Sequence, residues 1–204
     1  MGKGIYTDTN HMASAALVGT SGDWATLAPL DLMKALPLHA AAVTTRLGTQ
    51  GDPIVIEGTF PTSVPCRYFG LFDTNLRQRA SCRLELFANT AMTTVLVDTR
   101  NPASGKDRFV IPPLLNWRQL YWGASNLFRG DLPPADFRLY PSNVHIIVPF
   151  CRPKAFRLTL YGPAFDPADG SAASTYRIGY AWIGDGVRFF APVDFEPGYV
   201  SGDT

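Results

Sequence analysis

The chain has 204 residues, of which 46% are hydrophobic and 12% aromatic, so it can bury a sizeable core and wholesale disorder is excluded. Its formal net charge of +1 does not point to nucleic acid or to an anionic membrane surface as a partner. Because it also contains 18 glycines and 17 prolines, the composition favours many turns and short strands over long helices.

The N-terminal part of the chain predicts an arm followed by a short helical turn. Residues 1–14 are polar and mixed, which is typical of an arm that is ordered only when a partner holds it. Asp31 could cap a turn that runs through Ala35, and Pro29 and Pro37 limit it to one or two turns. We expect the Leu and Ala residues around this turn to cover one end of a β domain.

Short strands begin at residue 54. In residues 82–88, CRLELFA, the side chains of Cys82, Leu84 and Leu86 fall on one face and those of Arg83 and Glu85 on the other. This period of two predicts a half-buried antiparallel strand, with its hairpin partner across Asn89-Thr90-Ala91. The predicted strands are 54–60, 64–72, 82–88, 93–99, 108–112, 144–150, 156–162 and 176–184, and the polar residues after 72 are predicted to form a connection.

The periodicity is lost between residues 113 and 143. An irregular connection of this length is unusual in a β domain and is commonly functional. Aromatic and basic side chains cluster in it: Trp117, Arg118, Tyr121, Trp122 and Arg129. Such residues stack on sugar rings or fill a partner's pocket, or they plug the domain's own core, and the sequence leaves both interpretations open.

The strand pattern predicts an all-β fold, an antiparallel β-sandwich of jelly-roll type. We expect an N-terminal arm at 1–14, the sandwich at 15–184 with the loop 113–143 inserted, and an extended C-terminal arm at 185–204. Residues 100–160 carry nine Lys or Arg against three Asp, and residues 161–204 carry two Arg against six acidic residues. The opposite charges suit internal pairing, docking between subunits, or two solvated faces.

No motif indicates an enzyme. The sequence has no GxSxG, P-loop, GxGxxG or HExxH, and His11, His39 and His145 are isolated, His145 as a structural residue inside a strand. The cysteines at 66, 82 and 151 have no CxxC spacing, which indicates buried reduced thiols and neither a disulfide framework nor a zinc site. We expect no cofactor. The N-terminus lacks the apolar core of a signal peptide and no run approaches about 20 apolar residues, so we expect cytoplasmic synthesis and no membrane span.

Two polar clusters could bind a ligand. Asp166 and Asp169, in the loop DPADGS, could hold calcium, but the ligand spacing of a known calcium loop is missing and a solvated turn is favoured. Asp73 and Asn75, in FDTNL, could hydrogen-bond to sugar hydroxyls, although an Asx turn after a strand is favoured.

The order of several short motifs resembles a group of bacteriophage tail and virion structural proteins. These motifs are RYFGLF at 67–72 with DTNL, CRLELF at 82–87, PKAFRLTLY at 153–161, YRIGYAWIGD at 176–185 and FEPGY at 195–199. The resemblance implies a galactose-binding-like (discoidin-like) β-sandwich. In such a fold, Arg83 and Arg157 could pair with carboxylates or stack on aromatic rings of the neighbouring strand, and Gly179 and Gly184 would permit close backbone approach.

The resemblance, the missing catalytic motifs and the irregular arms together predict a non-enzymatic virion component, a minor tail protein. We expect it to bind other virion proteins and copies of itself through its loops and termini, and to be assembled in the host cytoplasm. The alternative is a carbohydrate-binding module for a host surface glycan, which would use the loop aromatics with Asp73 or Asn75.

Overall fold

Fourteen short strands and two 3₁₀ helices make up the part of the chain that the computed structural model describes. The described residues are 5–6, 9–19, 23–34, 40–77, 79–102, 104–109, 143–166, 168, 171–185 and 187–188. The 3₁₀ helices are His11–Ser14 and Leu30–Lys34, and the second confirms the short turn predicted between the two prolines. No helix among the described residues is long and apolar enough to cross a membrane.

The strands form two main antiparallel sheets. The first sheet has the order β2 (Ala16–Gly19), β4 (Ile54–Thr59), β10 (Ala155–Tyr161), β6 (Ser81–Phe87) and β7 (Val95–Asp98), and β8 (Arg108–Phe109) also pairs with β6. The second has the order β3 (Ala42–Val43), β13 (Arg177–Gly184), β5 (Cys66–Thr74) and β9 (Val144–Cys151). Two small ribbons join β1 (Ile5–Tyr6) to β14 (Val187–Arg188) and β11 (Ala164–Phe165) to β12 (Ala172–Ala173).

The core lies between the two main sheets, as the alternation of apolar residues predicts. Ile54 and Ile56 of β4 are fully buried, and the ring of Phe156 in β10 lies 5.8 Å from that of Phe69 in β5. Gly58 makes room for this pair, because a Cβ atom at residue 58 would overlap the Phe156 ring. The antiparallel sandwich predicted from the sequence is confirmed.

The outer face of the first sheet carries a ladder of ion pairs. Arg157 Nε lies 2.8 Å from Glu57 Oε1 on β4, and its guanidinium lies 5.5 Å from the Phe87 ring centroid. On β6, Arg83 Nη2 lies 2.8 Å from Glu85 Oε1 and 2.7 Å from Asp98 Oδ2 on β7. The similar stretches FRLTLYG and CRLELFA are therefore neighbouring strands with outward arginines, and the predicted pairing of these arginines is confirmed.

The two ends of the sandwich differ. We call one end the loop end; it contains the described residues of the connections 44–53, 75–80, 99–107 and 162–176. The buried Tyr176 joins two of these connections, 162–176 and 44–53: its hydroxyl donates to Gly162 O at 2.7 Å and accepts from Gly48 N at 3.2 Å. We call the opposite end the terminal end; there the chain turns from β4 to β5 and from β9 to β10, with a hydrogen bond from Phe60 N to Lys154 O.

The expected N-terminal arm is partly built into the sandwich. The Asn10 side chain donates to Ala181 O and accepts from Ile183 N, each at 3.1 Å. It thus provides hydrogen-bond partners for backbone groups of β13, as the backbone of a neighbouring strand would. Met12 is fully buried in the core. The backbone of β1 pairs with β14, which lies in the expected C-terminal arm. The domain boundaries at residues 15 and 184 stay predictions, and most of 185–204 lies outside the described residues.

One strand runs further than predicted. β5 continues to Thr74 through residues that were expected to form a polar connection, because Ile178 and Tyr180 of β13 pair with Thr74 and Phe72. Asp73 sits inside this strand with φ of 52°, and a Cβ atom on the facing Gly179 would lie only 2.8 Å from it. The close approach expected at Gly179 is therefore present.

Candidate functional site

An open cleft of about 460 Å³ lies at the loop end of the first sheet. The end of β10, the start of β6 and three connections (44–53, 75–80 and 99–107) contribute to it. Its lining residues are Gln50, Arg79, Ser81, Arg100, Gly105, Lys106, Asp107 and Tyr161. The lining combines one aromatic ring with several side chains that form hydrogen bonds. This is the combination that a polar ligand with an apolar ring face requires.

Two glycines with positive φ lie at the cleft, Gly105 in its lining and Gly162 directly after the lining residue Tyr161. Gly162 follows the last residue of β10 with φ of 111°, and a Cβ atom there would lie 2.9 Å from Ala80 Cα. Gly105 has φ of 63° and closes the 101–106 turn by donating to Asn101 O at 2.8 Å. Backbone hydrogen bonds thus hold the loop that carries Arg100 and Lys106, so the cleft is built on ordered connections.

The polar groups of the cleft form a connected set. Arg100 Nε lies 3.2 Å from Asp107 Oδ1, with the Asp107 side chain 12% exposed and that of Arg100 42% exposed. Burial raises the pKa of the Tyr161 phenol, whose hydroxyl also interacts with Ser81 and Asp107. Tyr161 is therefore a neutral hydrogen-bonding aromatic in the lining of the cleft.

Asp73 and Asn75, the glycan-binding candidates predicted from sequence, also lie at the loop end. The Asp73 carboxylate pairs with Arg177 through contacts of 2.8 and 3.1 Å, and both side chains are partly exposed. Asn75 is buried; its Nδ2 donates to Thr175 O at 3.0 Å and its Oδ1 accepts from Arg177 N at 2.7 Å. In place of the favoured Asx turn, Asn75 bridges to a neighbouring segment, because a buried amide needs partners for both groups.

The other candidates are placed as follows. Trp117, Arg118, Tyr121, Trp122 and Arg129 lie outside the described residues, but the described flanks of their segment, Phe109 and Asn143, are both at the loop end. Asp169 also lies outside the described part of the chain. Asp166 accepts from Ala168 N at 2.8 Å, which fits the favoured turn. Among the described residues, no group of three or more His, Cys, Asp or Glu side chains could hold a metal ion.

A second surface of interest is the outer face of the second sheet, which is rich in aromatic rings. Phe72 lies 5.6 Å from the ring of His145 and 6.4 Å from that of Tyr180. His145 Nδ1 is 2.6 Å from the Tyr68 hydroxyl, and the structural role of this histidine stays a prediction. Beside them on β9, Ile147 is 53% exposed.

Comparison with known proteins finds similarity in structure alone. No protein-family model and no curated protein matches the sequence. CBM32-3 from a family 31 glycoside hydrolase of Clostridium perfringens matches with TM-score 0.50 and 6% identity, over 86% of this chain and 93% of that module. The Ruminococcus gnavus GH29 fucosidase, solved in complex with fucose, matches with TM-score 0.51 and 9% identity over 88% of this chain.

The chain spans 27% of the fucosidase, so it resembles one domain of that enzyme. The fold and the pairing of the sheets define an antiparallel β-sandwich of the galactose-binding-like class. One of the similar structures named above is a carbohydrate-binding module, CBM32-3, and none of them is a virion protein.

Several cleft residues were not identified from the sequence. The sequence pattern presents Tyr161 only as the end of an amphipathic strand, although its place directly before Gly162 marks it as a residue at a sheet end. Arg100 and Lys106 flank a Gly-containing turn and contribute to the basic segment 100–160. Their convergence with Gln50 and Arg79 depends on which strands are neighbours, which the sequence does not specify.

Proposed function

We propose that this chain is a non-catalytic carbohydrate-binding module and that its glycan occupies the cleft at the loop end. The observation that carries the proposal is the cleft itself, in which one partly buried tyrosine lies among side chains that donate and accept hydrogen bonds. Its fold, shared with a solved carbohydrate-binding module, supports the same conclusion.

The contacts suggest how a sugar would bind. The ring of Tyr161 offers an apolar face, and sugar rings have C–H faces that pack on aromatic planes. Gln50, Arg100 and Asp107 surround it with amide, guanidinium and carboxylate groups that match sugar hydroxyls. Asp73 lies at the same end of the sandwich and remains a predicted contributor, as do the loop residues Trp117 and Trp122.

A glycan array followed by titration calorimetry tests this proposal. We expect Tyr161→Ala to weaken binding at least about tenfold, since stacking and one hydrogen bond are lost together. Phe150→Ala is the matched control, because Phe150 is 48% exposed but belongs to the terminal end of β9. Equal affinities of Tyr161→Ala and the unmodified chain would place the glycan elsewhere, and an array with no binder would remove the function.

A virion role is a second candidate, favoured by the aromatic outer face of the second sheet. Exposed Ile147 and Phe150 extend that face along β9, and apolar patches of this kind commonly bind other proteins. A minor tail protein that assembles with neighbours or with its own copies in the host cytoplasm would use such a surface. Detection of the chain in purified virions, and weaker assembly on Ile147→Asp, would support this role; a monomer absent from virions would end it.

A further inference from the structure

The charge of the cleft defines the class of glycan, an inference that rests on the proposed function. Three cationic side chains, Arg79, Arg100 and Lys106, line the cleft, and Asp107 is the single acidic residue in that lining. The lining therefore has a formal charge of +2. Neutral sugars gain no charge attraction from such an excess, whereas a carboxylate or sulfate does.

The arrangement leaves cationic groups accessible to a ligand. Asp107 pairs with Arg100, and no carboxylate among the described residues lies within ion-pair distance of Lys106 Nζ. Lys106 is exposed. A ligand anion in the cleft would thus meet guanidinium and ammonium donors without having to displace the Arg100–Asp107 pair.

We propose that the cleft prefers an acidic glycan, one that carries a carboxylate or a sulfate ester, over its neutral counterpart. In this arrangement the sugar ring packs on Tyr161, and the acidic group accepts charge-assisted hydrogen bonds from Lys106 and Arg100.

The test uses hexuronic-acid oligosaccharides from the array and the same oligosaccharides after reduction of their carboxyl groups. We expect the acidic form to bind about tenfold more tightly and the difference to shrink as NaCl rises. Lys106→Ala should remove most of the preference, and Arg100→Lys should reduce it with less disturbance of Asp107. Arg67→Ala is the matched control, because the Arg67 side chain is 39% exposed and pairs with Asp185 at the terminal end.

The outcomes distinguish failure of the acidic preference from failure of glycan binding itself. Equal binding of the acidic and reduced forms would overturn the acidic preference and leave the glycan function intact. A preference that survives in both the Lys106 and the Arg100 variants would also overturn it. Absence of binding by either form, and by every glycan on the array, would remove the underlying function itself.

A separate observation concerns two cysteines at the terminal end of the second sheet. Cys66 begins β5 and Cys151 ends β9, and the two residues are direct register partners in this antiparallel pair. Directly opposed residues have Cα atoms about 4.5–5.5 Å apart, within the range that a disulfide spans. Both are free thiols; Cys66 is buried, and Cys151 is partly exposed.

We infer that Cys66 and Cys151 form a cross-strand disulfide when a small-molecule disulfide such as oxidised glutathione is present. The Cys151 thiolate attacks the oxidant, forms a mixed disulfide and releases one thiol. Cys66 then attacks the Cys151 sulfur and releases the second, so the protein loses two hydrogens and the oxidant is reduced to two thiols. The disulfide would link β9, which lies at the edge of the second sheet as described, covalently to β5.

The electrostatics of the pair agree with this order of attack. The hydrogen bond with Cys151, followed by burial, raises the pKa of Cys66, whereas the contact with Cys66 lowers the pKa of Cys151. The more exposed thiol is thus also the more readily ionised one.

Intact-mass analysis after incubation with oxidised glutathione, denaturation and alkylation tests the inference. We expect the mass of the reduced chain plus one alkyl group, at Cys82, minus about 2 Da for the two hydrogens lost, and a linked peptide that contains Cys66 and Cys151. Cys82→Ser should still form the link and Cys151→Ser should not. Three alkylatable thiols, a link to Cys82, or only a stable glutathione adduct on Cys151 would overturn it.

Discussion

Removal of the Tyr176 hydroxyl should lower the free energy of unfolding of the chain, because this group joins two connections at the loop end. Tyr176 is fully buried, and its hydroxyl joins Gly162 O at 2.7 Å to Gly48 N at 3.2 Å, so Tyr176→Phe leaves two backbone groups without this partner. Each lost bond costs about 1 kcal/mol and a buried unsatisfied N–H adds to this, so we expect a loss of about 2–3 kcal/mol. For a chain of this size, that loss lowers the midpoint of thermal unfolding by roughly 5–10 °C.

Urea and thermal unfolding monitored by circular dichroism provide the assay. Tyr68→Phe is the control, because the Tyr68 hydroxyl contacts His145 at an exposed site and its loss should cost no more than about 1 kcal/mol. If Tyr176→Phe destabilises the protein no more than Tyr68→Phe does, the hydroxyl does not tie the loop end together.

The same hydroxyl predicts a dependence on alkaline pH. Burial raises the pKa of Tyr176 to about 12 from an ordinary value of 10.0, so the folded state holds the proton more tightly than the unfolded state. The stabilisation is complete below about pH 10 and is lost as the pH rises towards about 12. Between these values the stability of Tyr176→Phe should fall less steeply than that of the unmodified chain.

Three further substitutions test other parts of the fold. Hydrogen bonding to Arg83 lowers the pKa of Asp98, so Asp98→Asn should lower the free energy of unfolding by up to about 1 kcal/mol at pH 7. The difference in stability between the variant and the unmodified chain should vanish as acid protonates Asp98 below its ordinary pKa. An unchanged difference at pH 2 would contradict this. Gly58→Ala should lower the free energy of unfolding, measured in urea, by about 1–3 kcal/mol because the new methyl group overlaps Phe156. Gly51→Ala is the control and should be near neutral, because a Cβ atom at residue 51 meets nothing within 4 Å. Similar losses of stability in the two variants would contradict the packing argument. Asn10→Ala should expose the edge of β13, seen as faster amide exchange at Ile183, and unchanged exchange would show that Asn10 does not protect it.

Most of the strands could be predicted because each carries its signal locally. In CRLELFA, Leu84 and Leu86 alternate with Arg83 and Glu85, and a period of two is sufficient to indicate a half-buried strand. The strand position of Asp73 could not be predicted in this way. Its polar neighbours look like a turn, but pairing with β13 continues the strand through a residue of positive φ, and a residue's own sequence neighbourhood does not reveal its partner on another strand.

The cleft was harder to predict than the sheets. Its members come from residues 50, 79–81, 100–107 and 161, and none of these segments contains a recognisable binding motif. Asn75 shows the reverse case, in which a polar residue attractive as a ligand contact is instead committed to Thr175 and Arg177.

The sequence by itself determined the fold class, the outward position of Arg83 and Arg157, and the presence of a glycine, Gly179, that permits close backbone approach. These properties depend on alternation and on residue size, which are readable along a single strand. Only the tertiary structure decided that β4, β10, β6 and β7 lie side by side, and therefore that Glu57, Glu85 and Asp98 neutralise those arginines. It also brought Tyr161, Arg100 and Lys106 to one cleft, because contacts between residues distant in sequence arise from strand order and register.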